Sequence, residues 1–203
     1  MIIGFTGPQC AGKTTIATQL CSYLTNCNFD VVFQPEQVLP KDLTDITSKE
    51  LELVQCMTLN HHIKPLLNHA YNTKLKRILV TDRTIIDAYV YTNFFAKQQT
   101  LPEELLRYSG YLVRKLVPYY SVIFHCDIEN IDLVDDGIRS TDNTFRTDIS
   151  VEFINYLKCN NKFLNNNNVR ILSLRGPLEQ RVQKAIQFFE EIKFQGFKQL
   201  YAK

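Results

Sequence analysis

The chain has 203 residues, 45% of them hydrophobic, which is enough to bury a core without disulfide or metal staples. A formal net charge of +2 with 22% charged residues argues against a dedicated duplex-DNA binder. The six cysteines form no C-x-x-C pair and read as reduced thiols, and no apolar run approaches the ~18 residues of a membrane span. A soluble, cytoplasmic protein with no membrane attachment is therefore expected. The opening Met1-Ile-Ile-Gly-Phe-Thr-Gly7 is too short and too glycine-rich for a signal peptide.

Ile2 to Thr6 is a short apolar run that suits a buried strand, and Ile16, Leu20 and Leu24 then mark a helix over Lys13 to Leu24. Asp30 to Phe33 predicts a second strand. Ser48 to Asn72 reads as helix, with Pro65 breaking it into two pieces. Arg77 to Thr81 predicts a third strand, followed by helices over Thr84 to Lys97 and Pro102 to Val117. Ser121 to Cys126 is a fourth strand. The polar stretch Ile131 to Asn143 reads as a mobile loop, and helix returns over Ile149 to Phe163 until Asn165 to Asn168 end it. Val169 to Leu174 and Leu178 to Phe194 predict the last strand and helix. Short apolar strands alternating with helices give an α/β fold, a five-stranded parallel sheet flanked by helices, in a single domain over residues 1–203.

Between the first strand and helix, Gly7-Pro8-Gln9-Cys10-Ala11-Gly12-Lys13-Thr14 fits G-x-x-x-x-G-K-[ST]. Such a loop curls main-chain N–H groups round an oxyanion and presents it to a helix N-terminus. The expected ligands are ATP and Mg²⁺. Residues Gly7 to Thr15 cradle the phosphates, Lys13 reaches the β- and γ-phosphates, and Thr14 offers its hydroxyl to the metal. A chance glycine loop is disfavoured by the strand before the motif and the amphipathic helix after it.

Three further features separate phosphoryl transfer from a nucleotide switch. Asp82-Arg83 follows the third strand, where strand ends line the ligand crevice. Asp82 there would share the Mg²⁺ with Thr14, and Arg83 would clamp the acceptor. The competing reading of Asp82 is a helix N-cap. Glu36, past the second strand, is placed to take or orient the proton of an attacking hydroxyl. Arg139 and Arg146 lie seven apart in a lid of approximately residues 131–147, suited to stabilise charge on the transferring group. An exposed loop with surface arginines is the alternative there.

These positions give the chain a resemblance to the P-loop nucleoside and nucleotide kinases, including thymidylate kinase and deoxynucleoside kinases. It also resembles the small P-loop ATPase/kinase group of nicotinamide riboside kinase domains and many phage proteins. The resemblance runs through Gly7 to Thr14, Glu36, Asp82-Arg83, Arg139, Arg146 and Arg175-Gly176-Pro177. It implies that Glu36 lies by the acceptor, that Asp82 and Arg83 serve metal or acceptor, and that Gly176 and Pro177 contact adenine. The chain departs from the pattern after Glu36. Gln37-Val-Leu-Pro40 has neither the Pro-Gly-Gly of thymidylate kinases nor the arginine of the riboside-kinase group.

The expected activity is ATP-dependent transfer of the γ-phosphate to a small-molecule nucleoside, deoxynucleoside monophosphate or related acceptor, the monophosphate first. A hydroxymethylated base in DNA is an alternative acceptor, which the charge balance permits without indicating it. A P-loop ATPase switch with water as acceptor is the alternative of a different class. A homodimer is allowed. His61, His62 and His69 lack a fourth ligand at zinc spacing. Tyr89, Tyr91, Phe94 and Phe95 read as core, with stacking on an acceptor base the other option. Cys10 reads as a tolerated small side chain within the loop.

Overall fold

The computed structural model describes residues 1–37, 47–71, 77–129, 131 and 143–201, the last nine by backbone alone. The lid arginine Arg139 and most of the expected lid lie outside the described residues.

Five strands form one parallel sheet: β1 (Ile2–Thr6), β2 (Val31–Gln34), β3 (Ile78–Asp82), β4 (Val122–Cys126) and β5 (Arg170–Leu174). Their order is β2-β3-β1-β4-β5, so β1 lies between β3 and β4. The chain winds to one side of β1 first and then crosses to the other. The loop after β1 therefore opens at the point where winding reverses, the usual ligand crevice of an open parallel sheet.

Among the described residues seven α-helices flank the strands: α1 (Lys13–Asn26), α2 (Ser48–Tyr71), α3 (Ile85–Lys97), α4 (Glu103–Leu116), α5 (Asn143–Cys159), α6 (Asn161–Asn166) and α7 (Leu178–Tyr201). The two-residue alternation of a strand divides the core. Ile3, Phe5, Val80, Val122 and Phe124 pack with α1 and α7 through Ile16, Leu20, Val182 and Ala185. On the opposite face Ile2, Leu79 and Ile123 meet Leu59, Ile86, Val113 and Phe153 of α2 to α5. Both faces are covered, so the central strands β1, β3 and β4 are buried along their whole length.

The structure differs from the sequence reading at several helices: Asn165, expected to end one, lies inside α6, and α7 runs on past Phe194 to Tyr201. Two differences are larger. Pro65 lies inside one unbroken α2. Leu59 and His62 before the proline and Leu66 after it are all buried. Burying leucine side chains at ~1.5–3 kcal/mol each offsets the ~3 kcal/mol that an interior proline costs. The second difference is α5, which begins at Asn143, so residues 143–147 of the expected lid are helical. That helix ends at Cys159, and the Asn160 side-chain N–H joins its main-chain N–H on the Tyr156 carbonyl, at 2.9 and 3.0 Å.

His62 and His125 are 4% and 2% exposed. Burial pulls the His62 pKa down to about 3, with His61 and Arg83 adding to it, and burial pulls His125 down to about 4. The unfolded chain takes up a proton at each below about pH 6.5, whereas the folded form stays neutral until about 3 and 4. Stability therefore falls as pH drops from 6.5 toward 4, by up to about 1.4 kcal/mol per pH unit for each histidine. Urea melts from pH 7 to 5 should show this slope, and H62Q/H125Q should flatten it. An unchanged slope in the double variant would assign the acid sensitivity elsewhere.

Candidate active site

β1 delivers the phosphate loop, and its backbone explains its glycines. Gly7 has φ of 138°, and a Cβ there would collide with the Cys126 carbonyl oxygen on neighbouring β4. Gly12, at φ 77°, is the residue from which α1 starts, and Cys10 between them has φ 54°. Cys10 adopts a left-handed conformation that a side chain rarely takes, in the segment where an anion nest needs it.

The carbonyls of this loop are held by cations. Lys13 Nζ donates to Gly7 O at 2.9 Å and Pro8 O at 2.6 Å. Arg146 donates from Nε to Gln9 O at 3.3 Å and from Nη2 to Cys10 O at 3.1 Å. Arg181 Nη1 donates to Ala11 O at 3.2 Å. In a trans peptide the C=O and the next N–H point opposite ways. Anchoring the Gln9, Cys10 and Ala11 carbonyls on Arg146 and Arg181 thus turns the N–H groups of Cys10, Ala11 and Gly12 away from those cations. Lys13 is buried, which pulls its pKa down, and Arg83 adds to that against Glu36, Asp87 and Asp82.

Arg146 was expected in a lid and instead sits buried in the first turns of α5, also donating to Ile131 O at 3.0 Å. Thr14 and Thr15 are exposed on the first turn of α1. Thr14 Oγ1 donates to Asp82 Oδ2 at 2.6 Å across the crevice. Asp82 is 1% exposed, and its Oδ1 is buried without a hydrogen-bond partner. A buried carboxylate oxygen lacking a donor, beside a hydroxyl, is a donor set that fits a hard cation such as Mg²⁺. Among the described residues no group of three or more His, Cys, Asp or Glu could hold a metal, and His61 instead bonds Gln34 at 2.9 Å.

Asp82 is not the cap of α3. Thr84 is the N-cap, in a reciprocal box with Asp87, whose Oδ2 accepts from Thr84 N at 2.8 Å and Thr84 Oγ1 at 2.9 Å. Asp87 also accepts from Thr6 Oγ1 at 2.7 Å and lies 3.4 Å from Gly7 N. It is a site residue that sequence reasoning missed, although Thr84-x-x-Asp87 was a readable capping signature.

Arg83 has φ 79°, strained for an arginine, and its Nε donates to Glu36 Oε1. Its Nη1 lies 3.5 Å from Asp87, and its guanidinium carbon is 5.3 Å from the Tyr91 ring centroid. Burial disfavours this charge, but Glu36 foremost, with Tyr91 and Asp87, holds the guanidinium protonated well above its ordinary value. The two residues expected at the acceptor are thus brought together at the ends of β2 and β3. Tyr91 Oη donates to Gln9 at 2.9 Å, and Tyr91, Phe94 and Phe95 pack against Phe145 of α5. With Tyr89 they belong to the core layer. A cavity of about 640 Å³ runs between the β2 edge and α2, walled by Gln34 and Gln37 on either side of Glu36, and includes no phosphate-loop residue.

Gly176 (φ 92°) and exposed Pro177 form the turn after β5, next to the start of α7. Arg181 of α7 reaches back to it, Nε donating to Gly176 O at 2.6 Å. Sequence reasoning missed Arg181 too. The signal was a cation four residues before Ala185 and eight before Phe189, on the apolar stripe of α7.

A family model described as an AAA domain matches residues 2–181. The chain belongs to the AAA domain family. No curated protein matches this AAA-domain chain. Among solved structures it is similar to deoxyadenosine kinase from M. mycoides, at 11% identity and TM-score 0.62, over 94% of this chain and 100% of that one. It is also similar to thymidylate kinase from Candida albicans, at 17% identity and TM-score 0.64, over 95% and 92%. A third likeness is to the NadR protein in complex with NR, at 17% and 0.59, covering 94% of this chain and 50% of that one. The AAA-domain chain thus has the α/β fold of P-loop nucleoside and nucleotide kinases. Among the described residues no helix is long and apolar enough to cross a membrane.

Proposed function

We propose that this protein is an ATP-dependent kinase that moves the γ-phosphoryl group to a nucleoside, a deoxynucleoside monophosphate or a related small acceptor. The observation that carries this reading is the Glu36–Arg83 pair at the ends of β2 and β3, within electrostatic reach of Lys13. The pair favours the kinase because the guanidinium supplies a fixed cation beside the carboxylate, able to hold an acceptor group, whereas water needs no such clamp on itself. A kinase uses the carboxylate to orient an incoming hydroxyl and receive its proton.

In this proposal the loop amides and Lys13 hold the β- and γ-phosphates, and Thr14 and Asp82 hold Mg²⁺, which supplies charge stabilisation at the phosphoryl oxygens. Lys13 adds a point charge from within the loop. With a hydroxyl acceptor, Glu36 accepts the hydroxyl proton as the hydroxyl oxygen bonds to phosphorus and the bond to the ADP oxygen breaks. A monophosphate acceptor attacks through an already ionised oxygen, and Glu36 then acts only through Arg83. Arg83, fixed by Glu36 and Asp87, positions the acceptor. Arg146 works from behind the loop by fixing Gln9 O and Cys10 O, and Arg139 supplies the lid cation. Gly176 and Pro177 border the base. Because the transition state is loose, most of the rate comes from positioning and electrostatics.

Incubating the protein with γ-labelled MgATP and a panel of nucleosides, nucleoside monophosphates and hydroxymethylated DNA tests the reading. Label on a nucleoside or monophosphate is the expected result. Hydrolysis that no acceptor accelerates would replace the kinase with the switch, and label on DNA would move the acceptor to an extruded base.

A further inference from the structure

Among the described residues Arg181 is the largest fully buried side chain, at 0% exposure. A guanidinium is expensive to bury, and the usual compensation is a carboxylate. Its hydrogen bonds go instead to main-chain carbonyls: Gly176 O at 2.6 Å, Asp127 O at 2.7 Å and Ala11 O at 3.2 Å. The Asp127 carboxylate is taken by Arg175 at 2.9 Å and by the Glu129 N–H at 3.1 Å. Arg181 Nη2 is buried with no hydrogen-bond partner. Nothing in the packing of α7 calls for a cation, since Val182, Ala185 and Phe189 beside it form an ordinary apolar stripe.

The three carbonyls belong to three different loops. Ala11 is in the phosphate loop after β1, Asp127 follows β4, and Gly176 follows β5. All three leave the same edge of the sheet, and one planar group with a fixed fork spans them. Main-chain carbonyls are the part of a loop that a change of side chain does not alter. What the fork fixes is therefore the spacing between the loops.

We propose that Arg181 is a positioning residue that couples base recognition to phosphate recognition, by holding the Gly176–Pro177 turn at a set distance from the phosphate loop. The inference rests on the reading above that the phosphate loop takes the polyphosphate and that Gly176 and Pro177 border the base. With the spacing fixed, a ligand that orders one loop also orders the other. Each half of a nucleotide then binds to a site its other half has made ready. Without the fork the two loops order independently, and the nucleotide loses that mutual gain.

Calorimetry with the full chain in Mg²⁺ tests this, with pyrophosphate and adenosine as the two halves. In wild type, saturating adenosine should tighten pyrophosphate binding at least about fivefold, the lower end of ordinary coupling between sites. R181K keeps the charge but loses the fork, so the coupling factor should fall to about one and MgATP affinity at least about fivefold with it. Adenosine that leaves wild-type pyrophosphate affinity unchanged overturns the proposal, whether or not R181K folds. So does an R181K protein with a lowered melting temperature but intact coupling, since Arg181 would then be structural. Failure of wild type to bind MgATP at all would instead remove the nucleotide reading on which the inference stands.

Discussion

Lys13→Ala is expected to lower phosphoryl transfer by about 10²–10³-fold while the protein stays folded. The ammonium is buried at the first residue of α1 and sits 2.9 and 2.6 Å from the Gly7 and Pro8 carbonyls. A point charge there acts where the transferring phosphoryl group gathers negative charge, in surroundings that screen it poorly. Stability behaves differently. The buried face of α1 is built from Ile16, Ala17, Leu20 and Leu24, which do not involve Nζ. Truncation leaves two carbonyls short of a donor, at about 1–3 kcal/mol, and removes the cost of burying the charge, so the terms oppose each other. The melting temperature should move by only a few degrees. Single-turnover transfer from labelled ATP, run beside a thermal melt, separates the two effects. Near-wild-type transfer by a folded Lys13→Ala protein would remove the phosphate loop from the chemistry.

The features readable in the sequence are those set by local pattern. Strands such as Ile2–Thr6 and Ile78–Asp82 are buried on both faces, so they show as short, mainly apolar runs, and their ends fall within a residue of expectation. The loop from Gly7 to Thr14 is legible because only particular residues fit its backbone. What the sequence hides is set by distant partners. Pro65 reads as a break until the burial of Leu59 and Leu66 on either side is known. The start of α5 at Asn143 is hidden because its first turns, Asn143-Thr-Phe-Arg146-Thr, carry no apolar period. What anchors that segment is the tie from Arg146 to Gln9 O and Cys10 O, more than 130 positions earlier. Glu36 and Arg83 each stood out alone, yet nothing in their spacing of 47 positions says that they form an ion pair. Asp87 and Arg181 are the opposite case. Both carried a local signal, a capping box and a cation on an apolar stripe, that also suits a purely structural residue.

Asp82→Asn is expected to lower activity and raise stability together. The side chain is 1% exposed at the end of β3, with Oδ2 accepting from Thr14 Oγ1 at 2.6 Å and Oδ1 buried without a partner. A buried carboxylate oxygen with an unmade hydrogen bond is unfavourable in the folded protein, and a cation bound there would satisfy it. Asparagine keeps the shape and can still accept from Thr14, but it gives up the negative charge. The magnesium concentration for half-maximal transfer should rise about tenfold, a modest loss for one hard ligand, and kcat should fall about 10²-fold. The melting temperature should hold or rise, because the neutral amide is cheaper to bury at a position where one carboxylate oxygen has no hydrogen-bond donor. A magnesium titration at fixed ATP and a thermal melt on the same preparation read both. The two signs matter jointly, since a damaged fold lowers activity and stability at once, whereas a lost metal ligand lowers activity alone. An unchanged magnesium dependence combined with a lower melting temperature would make Asp82 an acceptor that merely holds Thr14 and α1 against the sheet.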